Sequence, residues 1–125
     1  MRFSKSEQGF TLVEVLVALF VLVVGILGTI AVTATVMSGN SLGKRMTTAS
    51  TLAQYKMEEL KTTDYDSLAS SSSPEAVDGL YSRSWTVSAA DTPAAGMKTI
   101  AVTVSFSWQG LLTRTVILDS IVADI

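Results

Sequence analysis

Between Val15 and Met37 the chain carries no charged residue, and between Phe10 and Lys61 it carries no proline. An uninterrupted apolar run of about 23 residues spans roughly 35 Å as a helix, enough to cross a bilayer with some tilt. The helical pattern does not stop where the apolar run does. Leu42, Met46, Ala49, Ala53, Met57 and Leu60 recur at steps of three and four, with Leu52 widening the stripe. Lys44, Arg45, Thr48, Gln54, Glu58 and Lys61 fall off that stripe. The spacing predicts one helix of about 52 residues, Phe10 to Lys61, roughly 78 Å long. Its first half is apolar all round and its second half amphipathic. Gly25, Gly28 and Ser38-Gly39-Asn40 are the places where it can bend.

One acid interrupts the start of this run. Glu14 lies five residues after Gly9, where the charged leader ends. A carboxylate at mid-bilayer costs about 2.5–3.5 kcal/mol on insertion scales, so an acid here is read first as functional. Arg2 and Lys5 precede the span and favour a cytoplasmic N-terminus; Lys44 and Arg45 beyond it weaken that orientation without reversing it. An ordinary secretory signal, cleaved near Val32-Thr33-Ala34, is the competing account. The length of the apolar run and the position of Glu14 count against it.

Composition narrows the chemistry. The 125 residues include no cysteine and no histidine, so disulfides, thiol chemistry and the commonest general base and zinc ligand are excluded. A net charge of −2 gives no footprint for nucleic acid. Asp64, Asp66 and Asp78 offer oxygen ligands, but their spacing matches no EF-hand loop and they read as solvated turn acids. Asp64 with Asp66 as a catalytic dyad is weaker still. No cofactor, no metal and no enzymatic activity are expected.

After Thr62-Thr63-Asp64 the pattern changes. Ser67 to Pro74 reads as an exposed serine-rich loop. Tyr81, Arg83, Trp85 and Val87 alternate with Ser82, Ser84, Thr86 and Ser88, a period of two. Ile100, Val102, Val104, Phe106 and Trp108 repeat the pattern, Gln109-Gly110 supplies a turn, and Leu111 to Leu118 returns as the hairpin partner. The aromatic residues of these strands are expected in a core against the helix, and Arg83 and Arg114 at rim or cross-strand positions with packed stems. Both the amphipathic stripe and the apolar sheet face must be covered, and packing one on the other gives a two-layer α+β head.

Gly9-Phe10-Thr11-Leu12-Val13-Glu14-Val15-Leu16-Val17-Ala18-Leu19 resembles the class III signal of type IV prepilins and type II secretion pseudopilins. Val23-Val24-Gly25-Ile26-Leu27-Gly28 and Leu52-Ala53-Gln54-Tyr55-Lys56-Met57-Glu58-Glu59-Leu60 are most similar to PilV-type minor pilins. The resemblance implies a pilin-like fold and a structural subunit of a type IV pilus, incorporated into or priming the filament. A type II secretion pseudopilin is the alternative, and a membrane-tethered or secreted binding domain a further one. It implies a cleaved leader at 1–9, a membrane and assembly half of the helix at 10–37, an amphipathic half at 38–61 and a head at 62–125. Prepilin peptidase would cut between Gly9 and Phe10; Phe10 would be N-methylated; Glu14 would pair with the Phe10 amino group of a neighbouring subunit. The implied partners are that peptidase, other pilin or pseudopilin subunits, the inner-membrane assembly platform and membrane lipid. The implied location is the bacterial inner membrane, N-terminus in the cytoplasm and head outside, then the filament. Ala31 stands where many major pilins carry a proline, and no C-terminal disulfide loop exists; both departures favour a minor subunit or pseudopilin.

Overall fold

The structure, a computed structural model, describes residue 9 and residues 11–125. Its elements are α1 (Leu12–Lys61), a short 3-10 turn (Tyr65–Ser67), β1 (Glu75–Val77), β2 (Tyr81–Val87), β3 (Met97–Trp108) and β4 (Leu112–Ala123). The chain divides into two compact units, Met1–Asn40 and Ser41–Ile125.

In the first unit α1 is set by its side chains alone: long aliphatic residues, few polar groups and no proline. Every residue from 11 to 37 is exposed. The three hydroxyls in the later part of this stretch are already satisfied. Thr29 Oγ1 donates to the Ile26 carbonyl, Thr33 Oγ1 to Thr29 and Thr35 Oγ1 to Ala31, at 2.8–3.0 Å. Such back-bonding lets hydroxyls sit in an apolar medium without an unmade hydrogen bond.

In the second unit the amphipathic stripe closes a core. Ala49, Ala53, Met57 and Leu60 are buried, with Leu42, Met46 and Leu52 packed beside them. They meet a four-stranded antiparallel sheet of order β1-β2-β3-β4. β3 supplies the floor: Ile100, Val102, Val104 and Phe106 are buried, and the alternating Ala101, Thr103 and Ser105 lie on the other face. Met57, Ile100, Val102 and Val104 have almost no exposed surface, and each contributes about 1.5–3 kcal/mol by leaving water. Tyr81 meets Phe106 edge-on at 5.6 Å between ring centroids, the arrangement that ring quadrupoles favour.

Both hairpins turn on a residue pair with positive φ, Asp78 (51°)-Gly79 (66°) and Gln109 (53°)-Gly110 (72°). Two successive left-handed residues make the tight turn whose twist matches the flanking strands, and glycine takes the second place without steric cost. The first of these hairpins creates β1, which the alternation reading does not include. Three residues show no periodicity, but the Asp-Gly pair was a usable signal.

Two further expectations gain detail. The serines after Ser67 are not merely a solvated loop. Ser71 Oγ accepts the Trp85 N–H at 3.1 Å and Ser70 Oγ the Val87 N–H at 2.8 Å, while the Ser71 N–H donates to the Trp85 carbonyl. These hydroxyls continue the edge cover that β1 begins. Arg83 takes the cross-strand place of the two expected, opposite Glu75 of β1, and not the rim. It is buried, its Nε and Nη2 donate to Glu75 at 3.1 and 2.8 Å, and Nη1 donates to the Leu52 carbonyl of α1. One guanidinium thus joins helix, edge strand and sheet. Arg114, by contrast, is exposed.

Of the four aromatic residues on the strands, Tyr81 and Phe106 are buried, whereas Trp85 and Trp108 are half-buried beneath helix cations. Lys56 Nζ lies 4.1 Å from the Trp85 ring centroid and Arg45 Cζ 5.6 Å from that of Trp108. Lys56 also donates to Glu59 at 3.0 Å, so a buried lysine within the stripe is paired twice.

Candidate processing and assembly site

The chain enters α1 through Thr11. Its Oγ1 accepts the Glu14 N–H at 3.2 Å and its carbonyl accepts the Val15 N–H at 3.1 Å. Thr11 is therefore the N-cap, and Thr11-Leu12-Val13-Glu14 has the threonine-to-glutamate spacing of a capping box. This role of Thr11 was absent from the sequence reading although the spacing was visible. An acid in the first turn also suits the positive end of the helix dipole.

Gly9 is exposed, with open space where a Cβ would be. Phe10, and the leader before Gly9, lie outside the described residues. Glu14 is exposed, and among the described residues its carboxylate has no hydrogen-bond or ion-pair partner. It heads a shallow apolar groove continued by Val15, Ala18, Leu19 and Leu22 along one face of α1. Among the described residues the site is a single unpartnered carboxylate at one end of a greasy strip, with no second titratable group beside it.

The acids considered as ligands do not come together. Asp78 sits in the β1–β2 turn, Asp64 caps the start of the 3-10 turn and Asp66 lies within it. Among the described residues, no group of three potential metal ligands forms. Among the described residues Glu75 is the perturbed carboxyl: its hydrogen bond to Arg83, then the Arg83 charge, hold it below the ordinary glutamate value of 4.5.

Residues 4–30 match the family model described as Prokaryotic N-terminal methylation motif. The chain carries a class III prepilin signal. That match supports a type IV pilin-like protein, pilin or pseudopilin, and with it processing by a prepilin peptidase and assembly with other such subunits. Proteins of that kind are structural. The match does not reach the head, and no curated protein and no solved structure matches the chain significantly. By length and composition α1 can cross a membrane, which fits anchoring there. The α+β arrangement of an apolar helix and a four-stranded antiparallel sheet is the one expected of a pilin-like fold.

Proposed function

We propose that the protein is a minor structural subunit of a type IV pilus, held in the inner membrane by α1 as a precursor and then built into the filament or used to prime it. The observation that carries this reading is the Glu14 carboxylate, unpartnered among the described residues at the head of a wholly exposed apolar helix face. A carboxylate in apolar surroundings is expensive unless a cation meets it. Cleavage between Gly9 and Phe10 would create one, the new amino terminus at Phe10, which would then be N-methylated. In a stack of parallel helices the amino group of one subunit would reach Glu14 of the next, and the apolar strips would cover one another. The domain boundaries follow from the same reading: leader 1–9, membrane and assembly segment 10–37, amphipathic segment 38–61, head 62–125. The N-terminus would lie in the cytoplasm and the head outside it.

Intact mass of the mature protein is the decisive experiment. A chain beginning at N-methylated Phe10 is expected, and one beginning near Thr35 would overturn the assignment in favour of an ordinary signal. Gly9→Val should leave only unprocessed precursor. Glu14→Ala should be processed normally yet recovered at least tenfold less in sheared filaments; recovery at the level of the native chain would remove the pairing role. Recovery in sheared pili together with intact protein secretion supports a pilus subunit. Loss of secretion on deletion, with pili unaffected, would reassign the chain to a type II secretion pseudopilus.

A further inference from the structure

The two edges of the sheet are finished differently. On one side β1 pairs with β2 from Tyr81 to Arg83, and the Ser71 and Ser70 hydroxyls take the Trp85 and Val87 N–H groups respectively, so that edge is guarded along its length. On the other side β4 pairs with β3 without interruption from Leu112 to Ala123, and among the described residues nothing pairs with its far edge. The N–H of Asp124 donates to Gly96 on the β3 side. In an antiparallel ladder the direction alternates, so Thr113, Thr115, Ile117, Asp119, Ile121 and Ala123 aim their N–H and C=O groups away from the sheet. Folded proteins usually protect such an edge with lysine, proline, a bulge or a short strand. β4 has twelve residues, with no lysine, proline or bulge, and its charged residues are Arg114 and Asp119. Ile117 and Ile121 on this strand are 62% and 54% exposed.

The residues along β4 are complementary to themselves in one register. We infer that β4 pairs antiparallel with β4 of a second copy of this chain about a two-fold axis through Ile117, joining the two sheets into one. In that register Ile117 faces its own copy and Thr113 faces Ile121. Thr115 faces Asp119, a hydroxyl donor against a carboxylate, twice by symmetry. On the helix-covered face Val116 meets Leu118, Leu112 meets Val122 and Arg114 meets Ser120. No like charges oppose one another. Five facing pairs with two bonds each give roughly ten backbone hydrogen bonds, and the half-buried Val116 and Leu118 gain cover.

Neighbouring registers lose this match. Centring on Val116 sets Leu118 against Arg114 and Leu112 against Ser120. Centring on Leu118 sets Val116 against Ser120 and Arg114 against Val122. Centring on Asp119 brings two carboxylates face to face, which is repulsive. Asp119 therefore acts as a register key. The axis is normal to the sheet, so the Ser41–Lys61 helix segments of the two copies run in opposite directions. This is a contact between heads that approach from opposing sides. It is independent of the parallel helix packing proposed above, and each can fail without the other.

Because the chain contains no cysteine, single cysteines report the register directly. Facing Cα atoms in a hydrogen-bonded pair lie about 5.5 Å apart, within disulfide reach of about 4.4–6.8 Å. In the full chain in detergent under mild oxidation, Ile117→Cys is expected to give a covalent dimer. Thr113→Cys and Ile121→Cys should stay monomeric alone and cross-link only when mixed. Ile117→Lys, on the exposed face, should leave thermal unfolding unchanged and weaken dimerisation at least tenfold in analytical ultracentrifugation. A monomeric Ile117→Cys protein, or efficient cross-linking of Thr113→Cys or Ile121→Cys alone, would overturn the proposal. Glu14→Ala should leave the Ile117→Cys cross-link unchanged, which separates this contact from the stalk site.

Discussion

The two halves of α1 share one backbone geometry and differ in what covers them. From Ser41 to Lys61 the apolar stripe has its partner within the chain: Ala49, Ala53 and Met57 are buried against β3. From residue 11 to residue 37 every side chain is exposed, and the large aliphatic residues have about half or more of their surface free. Water is a poor solvent for such a surface, so its partner must be lipid or other helices. The same contrast holds for charge. Lys56 and Arg83 in the second unit are buried and paired, whereas Glu14 in the first has no partner among the described residues. Stability therefore resides in the second half, and the assembly chemistry proposed above falls in the first.

If that division holds, substitutions should separate cleanly. The largest effect is expected for Met57→Ala, which opens a cavity at the centre of the core and should lower head stability by about 2–5 kcal/mol in denaturant unfolding. The matched change in the first half, Leu22→Ala, should move head unfolding by less than about 0.5 kcal/mol while reducing recovery in filaments. Equal destabilisation by the two would break the comparison. Next comes Arg83→Ala, which strands the Leu52 carbonyl and the Glu75 carboxylate. Glu75 is half-exposed and can rehydrate, so a loss of about 2 kcal/mol is expected. Thr11→Ala should cost about 1 kcal/mol, felt only locally; amide exchange of residues 12–15 should quicken while the head is unaffected.

The smallest effect concerns pH. Glu75 has its folded-state value depressed by Arg83. Its contribution is therefore present above the ordinary value of 4.5 and is lost as pH falls below that, through the folded-state value. Glu75→Gln should flatten this part of the stability profile in acid titrations. An unchanged acid limb would show that the Arg83 contact has no net coupling to folding.

Much of this was legible from local pattern. The stripe from Leu42 to Leu60 and the alternation from Ile100 to Trp108 became a helix face and a strand face because burial follows the same periods as the backbone. The turn at Gln109-Gly110 was legible for a similar reason, since glycine accepts the positive φ that its second place requires. What escaped was non-local. Arg83 looks like a rim cation until Glu75 and Leu52 are brought beside it from other elements. Ser70 and Ser71 look like loop until they are seen capping the β2 edge. β4 runs to Ala123 rather than Leu118 because β3 begins at Met97 and offers it a partner that far.

By itself the sequence determined that one half of the long helix is apolar on every side, and that one acid at its start is costly in apolar surroundings unless a cation meets it. Both follow from composition over a short window, because the cost of exposing apolar surface or isolating a charge does not depend on distant contacts. The tertiary structure alone decided which edge of the sheet is guarded and which is open. Edge cover depends on which segments, remote in sequence, arrive beside which strand, and no periodicity within β4 records that.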